Sequence, residues 1–175
     1  PASPERRDRA LRGMLGRVLP EGSVDGVRLE NLEDREGALV LRWSARGRTI
    51  TAGGSHRLTL GLSPEDLVRA TALVASRRTP LWVDRLTRLD MTIDLQLASP
   101  WRLPALPEEV DVSSQGASYR RWVERSDEGI VVRKRLDIVP VVVPPESYGQ
   151  WRRLVEQVDL GDRITLSLEG VPPGA

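Results

Sequence analysis

The stretch SYRRWVERSDEGIVVRKRLDIVPVVVPPESYGQWRRLVEQVDLGDRITLSL, residues 118–168, holds in order two alternating runs, a proline-capped amphipathic segment and a last alternating run. Tyr119 to Arg125 and Ile130 to Ile138 flank Ser126-Asp127-Glu128-Gly129, so they read as a β-hairpin closed by a short polar turn. Closing the turn there sets Trp122 opposite Arg133 and Arg120 opposite Arg135, with Tyr119, Val123, Val132 and Leu136 sharing the other face. Arg121 then opposes Lys134 on that more apolar face, which is unfavourable without an acid nearby. Either the register is shifted, then, or that face meets another domain. After Pro144-Pro145, the residues Tyr148, Trp151, Leu154, Val155 and Val158 recur at helical spacing. Ile164, Leu166 and Leu168 alternate as a closing strand.

Working outward, Ser3-Pro4 is an N-cap with proline at the first helical position, and Leu11, Met14, Leu15, Val18 and Leu19 share one helix face until Pro20-Glu21-Gly22. The period then falls to two. Val27 and Leu29 mark one strand and Leu39, Leu41 and Trp43 the next, across the polar turn Glu33 to Gly37; Ile50 and then Leu58, Leu60 and Leu62 continue the meander. Ser63-Pro64-Glu65-Asp66 announces a second short helix, with Leu67, Ala70 and Val74 as its buried stripe. From Leu89 to Leu97 every odd residue is apolar and every even one polar, the pattern of a half-buried antiparallel strand. Pro100, Pro104 and Pro107 punctuate an irregular stretch around Trp101, and a soft boundary is expected at 98–107, between a helix plus meander (1–97) and a hairpin, helix and strand (108–168). With no phenylalanine in the chain, Trp43, Trp82, Trp101 and Trp151 are expected to fill core and seams. The tail Pro172-Pro173-Gly174 is expected to fray. The fold class expected is α+β, mainly β: antiparallel, sandwich-like sheets with about three short helices, forming a single domain over residues 1–175.

Composition narrows the chemistry. A chain of 175 residues buries a sizeable core without staples. With no cysteine it has no disulfide, no thiolate metal site and no cysteine nucleophile. His56 is the single histidine, which removes a histidine metal cluster and leaves a serine triad only one candidate base. No G-x-S-x-G elbow is present, and His56 reads as a turn residue at a strand start. Glu30, Glu33, Asp34 and Glu36 lack the spaced acidic loop and central glycine of a calcium site, so they read as a solvated turn. Asp90 and Asp94 fall on one strand face as a conceivable acid–base pair, which a wet sheet face explains more simply. Neither Gly13 to Gly16 nor Gly53-Gly54 has phosphate-loop spacing. No cofactor and no metal are expected.

Net charge is +1, with Lys134 the only lysine, so no global field draws a polyanion. No apolar run reaches the roughly 20 residues that span a bilayer. The N-terminus lacks a signal-peptide layout, and any targeting signal is expected upstream of Pro1.

The order of pieces resembles a known family. Leu103-Pro104 with Leu106-Pro107, then Tyr119, Val132-Arg133, and Pro144 to Tyr148 with Trp151 and Val155, are similar to the C-terminal β-rich domain of unknown function that follows the transglutaminase-like core in large bacterial multidomain proteins. The resemblance implies a multidomain, usually exported parent, periplasmic or in the cell envelope, whose core has a papain-type fold with a Cys-His-Asp site. No catalytic residue carries over to this cysteine-free chain. It implies a non-catalytic accessory domain that scaffolds the upstream core of the same polypeptide or binds a protein or cell-envelope substrate. The candidate binding surface is Arg120, Trp122, Arg133 and Arg135, where arginine offers bidentate contacts and indole offers flat apolar area. The alternatives are a stand-alone protein-binding adaptor, polyanion or nucleic-acid binding through Arg120, Arg121, Arg133, Lys134 and Arg135, and an independent hydrolase using His56.

Overall fold

The computed structural model describes residues 3–20, 22–32, 38–47, 50–52, 55–62, 66–84, 86–97 and 101–170. The expected turn at Glu33 to Gly37, the Gly53-Gly54 pair, Ser63 to Glu65 and the Pro172–Gly174 tail lie outside them. Among the described residues the architecture is mainly β, with three α-helices and antiparallel sheets that do not close into a barrel.

Helix α1 (Pro4–Val18) starts as its sequence dictates: the Ser3 hydroxyl accepts from the Arg6 amide, with proline in the first turn. Its buried face carries Leu15 and Val18, continued by Leu19. Strands β1 (Gly22–Glu30) and β2 (Val40–Gly47) pair as a two-stranded sheet with a bulge between Val24 and Gly26. Leu39 lies before β2 and is exposed, contrary to its expected place in the strand. The meander also breaks here. Strand β3 (Ile50–Ala52) pairs with β4 (Ser55–Gly61) in a separate sheet whose third member is β11 (Arg163–Leu168), in the order β11-β4-β3.

Helix α2 (Leu67–Thr71) is shorter than its signature suggested. Asp66 is the N-cap, its carboxylate accepting from the Arg69 amide, and Ala70 and Val74 are exposed; Leu67 and Ala72 do the burying. Strands β5 (Leu81–Val83) and β6 (Thr87–Gln96) follow, then β7 (Val110–Ser114), β8 (Ala117–Ser126), β9 (Gly129–Ile138) and β10 (Val141–Val143). The central sheet runs β6-β9-β8-β7, and β10 pairs with β5. The expected hairpin register is observed, Trp122 to Arg133 and Arg120 to Arg135, closed by Asp127-Glu128. Strand β7, unforeseen, adds to β8 through Gln115-Gly116. Gly116 is required there: its φ is 78°, and a Cβ would approach within 2.7 Å of Val141. After a 3₁₀ turn at Pro145–Ser147 comes α3 (Tyr148–Gly161), with all five stripe residues buried, roughly 1.5–3 kcal/mol each.

The inner face of the central sheet is covered in two parts. Helices α2 and α3 close over Ala117, Tyr119, Leu136 and Ile138. The apolar face of β4 and β11 closes over Ile93, Ile130 and Val132. Three of the four sheets draw strands from both sides of residues 98–107, which interleaves the meander part with the hairpin part.

Candidate functional site

The outer face of the central sheet holds the four residues singled out from sequence. Alternation puts Arg120 and Trp122 of β8 on the same face as Arg133 and Arg135 of β9. The Arg120 guanidinium lies over the Trp122 ring at 4.9 Å, so the cation–π partner is the strand neighbour rather than Arg133 across the ladder. Each guanidinium also has a carboxylate. Arg120 meets Glu109 at 2.6 Å and Asp111 at 3.8 Å, Arg133 meets Glu124 at 3.3 Å, and Arg135 meets Asp90 at 2.8 Å. The Trp122 indole N–H donates to Glu124. Asp90, with its bond and charge, holds the Arg135 guanidinium above its ordinary value. The face is a lattice of alternating charge around one indole. Asp90 is tied to Arg135, which separates its environment from that of Asp94.

Arg121 and Lys134 point the other way, so the five cations of the polyanion alternative do not share a surface. Lys134 has no exposed area and Arg121 only 6%. The register is not the shifted one expected in the absence of a nearby acid, because an acid does lie there: Asp162, the residue linking α3 to β11. Lys134 Nζ donates to Asp162 Oδ2 at 2.6 Å and to the Leu62 carbonyl at 3.2 Å; Tyr119 Oη donates to Asp162 Oδ1 at 2.9 Å. Asp162 is fixed by its backbone as well, donating to the Val158 carbonyl and accepting from the Leu62 amide. Burial pulls the Lys134 ammonium below its ordinary value, with Asp162 acting against that pull. Burial, then the Asp162 charge, push the Tyr119 phenol well above 10.0. The cluster fills the seam between the two covered parts of the sheet. Arg121 Nε and Nη1 are buried without a partner among the described residues.

A second acid works in the same region. Asp159 of α3 accepts from the amides of Leu67 and Val68, capping α2 across the chain. Its carboxyl is raised by burial against those bonds. Sequence reasoning missed both aspartates, because Val-Asp-Leu-Gly-Asp reads as the polar end of a helix until the partners across the chain are known.

The tryptophans divide. Trp151 is buried, with its indole N–H on Thr71 Oγ1; Trp43 and Trp101 pack at the edge of the sheet-covered core. Trp82 is the exception to the expectation, 75% exposed and paired with the half-exposed Val142 on the outer face of β5 and β10. Leu86 and Val139, also exposed, lie in the segments that join this ribbon to β6 and β9. His56 is the second residue of β4, with its ring edge-on to Trp101 at 4.6 Å. Among the described residues no group of His, Asp and Glu is placed to hold a metal ion, and no helix is long and apolar enough to cross a membrane.

The fold has a counterpart among solved structures. A crystal structure of a "putative protease" from Parabacteroides distasonis superposes over 66% of this chain with a TM-score of 0.54 and 18% identity. The match spans 24% of that protein's length. No curated protein matches the chain. A domain of unknown function with a solved structure, DUF3858, matches residues 62–168, which include the central sheet, the helices α2 and α3 and the buried Lys134 cluster; the chain belongs to that family.

Proposed function

We propose that this chain is a non-catalytic accessory domain working beside a transglutaminase-like, papain-type core of one longer polypeptide, scaffolding that core or presenting a protein or cell-envelope substrate to it. The observation that carries the reading is that two thirds of this chain superposes on about a quarter of a longer protein. Its side-chain chemistry agrees. Lys134, Asp162 and Tyr119 satisfy one another in the interior, and the outer arginines are matched by carboxylates, so these groups serve structure and recognition rather than proton transfer. Two surfaces suit docking: the charge lattice around Trp122, and the exposed apolar corner of Trp82 and Val142.

Calorimetric titration of the chain with the core of its own polypeptide, at two salt concentrations, tests this. The expected result is binding that Trp82→Ala or Trp122→Ala weakens at least tenfold and that salt changes little. Folded chain that gives no heat with the core, or that hydrolyses or transamidates peptides alone, overturns it.

A further inference from the structure

An open groove of about 930 Å³ runs past the β8–β9 turn, between that turn and the described residues Leu97, Trp101 and Arg102. Trp101 lines it, with Gln96, Arg102, Asp127, Glu128 and Glu169 around it. The groove is held in shape from beneath. Arg102 and Glu169 form an antiparallel bridge through both backbone bonds, and Arg125 ties the hairpin to the Leu103 and Pro104 carbonyls. His56 abuts the Trp101 ring edge-on. Gly129 packs so closely on the Leu95 carbonyl that no Cβ fits, which brings the turn against the end of β6.

The polar groups here differ from those of the outer sheet face. There each arginine has a carboxylate; here, among the described residues, the side chains of Gln96, Arg102, Asp127, Glu128 and Glu169 are exposed and engaged in no hydrogen bond or ion pair. They surround an indole whose contacts in the core fix its position. The signs are mixed. A cationic ligand would meet the Arg102 guanidinium, and an anionic one would meet three carboxylates. A neutral ligand rich in hydroxyls suffers neither, since each hydroxyl donates to a carboxylate or accepts from a guanidinium or amide, and the C–H face of a pyranose lies flat on an indole. An open channel, rather than an enclosed cavity, suits a chain of sugar units.

We propose that this groove binds a neutral glycan segment, with Trp101 as the stacking platform and Arg102, Asp127, Glu128 and Glu169 reading its hydroxyls. The proposal deepens the accessory-domain reading by naming a substrate class for it, and its test involves no core domain, so either can fail alone. The experiment is calorimetry and NMR titration of the chain with three neutral probes: a chito-oligosaccharide, a β-linked and an α-linked gluco-oligosaccharide. A lysine-rich peptide and polyglutamate serve as charged probes. The expected result is saturable binding of at least one neutral probe, unchanged by salt. Trp101→Ala should weaken it at least tenfold and Trp122→Ala less than twofold. Because Trp101 also touches the core, Glu169→Gln combined with Arg102→Ala provides a second, exposed pair of changes expected to weaken binding about fivefold in a folded protein. Binding of none of the neutral probes, preference for either charged probe, or neutral binding untouched by the Glu169 and Arg102 changes overturns the proposal.

Discussion

The two faces of the central sheet carry cations from the same strands and use them in opposite ways. On the outer face, Arg120, Arg133 and Arg135 meet carboxylates in water, where attraction is screened and side-chain freedom is lost in making the pair. On the inner face, Lys134 is taken out of water altogether, and one carboxylate at the end of α3 holds it there. Desolvation makes the second arrangement costly to form and far costlier to break. Identical chemistry is thus incidental on one side of a strand and decisive on the other. The inner cluster also selects a register, because a one-residue slip of β9 would move Lys134 away from Asp162 and turn Val132 and Leu136 to solvent.

The sharpest way to break this contrast is Asp162→Ala. It leaves the Lys134 ammonium buried without its counter-charge and should cost about 3–5 kcal/mol in urea unfolding. Changing Lys134→Met together with Asp162→Leu should recover part of that loss, and a double change no better than Asp162→Ala alone would show that the pair does more than neutralise itself. Arg121→Met comes next. Two of its guanidinium nitrogens are buried without a partner among the described residues, so an apolar side chain of similar length should raise stability by about 1–3 kcal/mol; a loss instead would reveal a bond that Arg121 makes in solution.

The phenol supplies a pH test. Tyr119 is held above its ordinary 10.0, so the folded state keeps a proton that the unfolded chain releases. Its contribution is full below pH 10 and is lost as pH rises beyond it towards the folded value. Lys134, pulled below 10.5, has the opposite sign: stability rises with pH from its lowered value up to 10.5. The two slopes overlap, and Tyr119→Phe separates them by removing the decline above pH 10. An unchanged alkaline limb in that variant would mean that the phenol is not buried as described. The smallest effect belongs to the outer face, where Asp90→Asn should leave the urea midpoint unchanged within error. A clear loss would put Arg135 among the structural cations.

Much of the fold is legible in the chain because its signals are local and agree with one another. Ser3-Pro4, the odd–even alternation of β6, the hairpin around Asp127-Glu128 and the stripe of α3 each state a period and a boundary. The three-residue strands β5 and β10 are too short to carry a period, and the unforeseen β7 is a pairing rather than a pattern. Of the candidate surface, the shared face of Arg120, Trp122, Arg133 and Arg135 followed from register alone. Of their carboxylate partners only Glu124 lies on the hairpin; Asp90, Glu109 and Asp111 come from other strands or from before one. The clash of Arg121 with Lys134 was legible, but it pointed to a shifted register or another domain, since nothing along the chain brings Asp162 to Lys134. Trp82 misled for a related reason: an indole in a short apolar run reads as core until the ribbon's outer face is seen to be open.

The pairing of β11 with β4 has a consequence for how this molecule comes together. Leu168 faces His56 and Arg163 faces Gly61, more than a hundred residues apart in sequence, so the sheet over Ile93, Ile130 and Val132 cannot close until β11 reaches β4. Such closure is entropically late, and it makes folding slow compared with a domain built from neighbours. The family match starts at residue 62, one residue after β4 ends. A fragment cut to that match would leave β11 with a bare edge and Ile164, Leu166 and Leu168 without their partners, exposing a strand ready to pair with another copy.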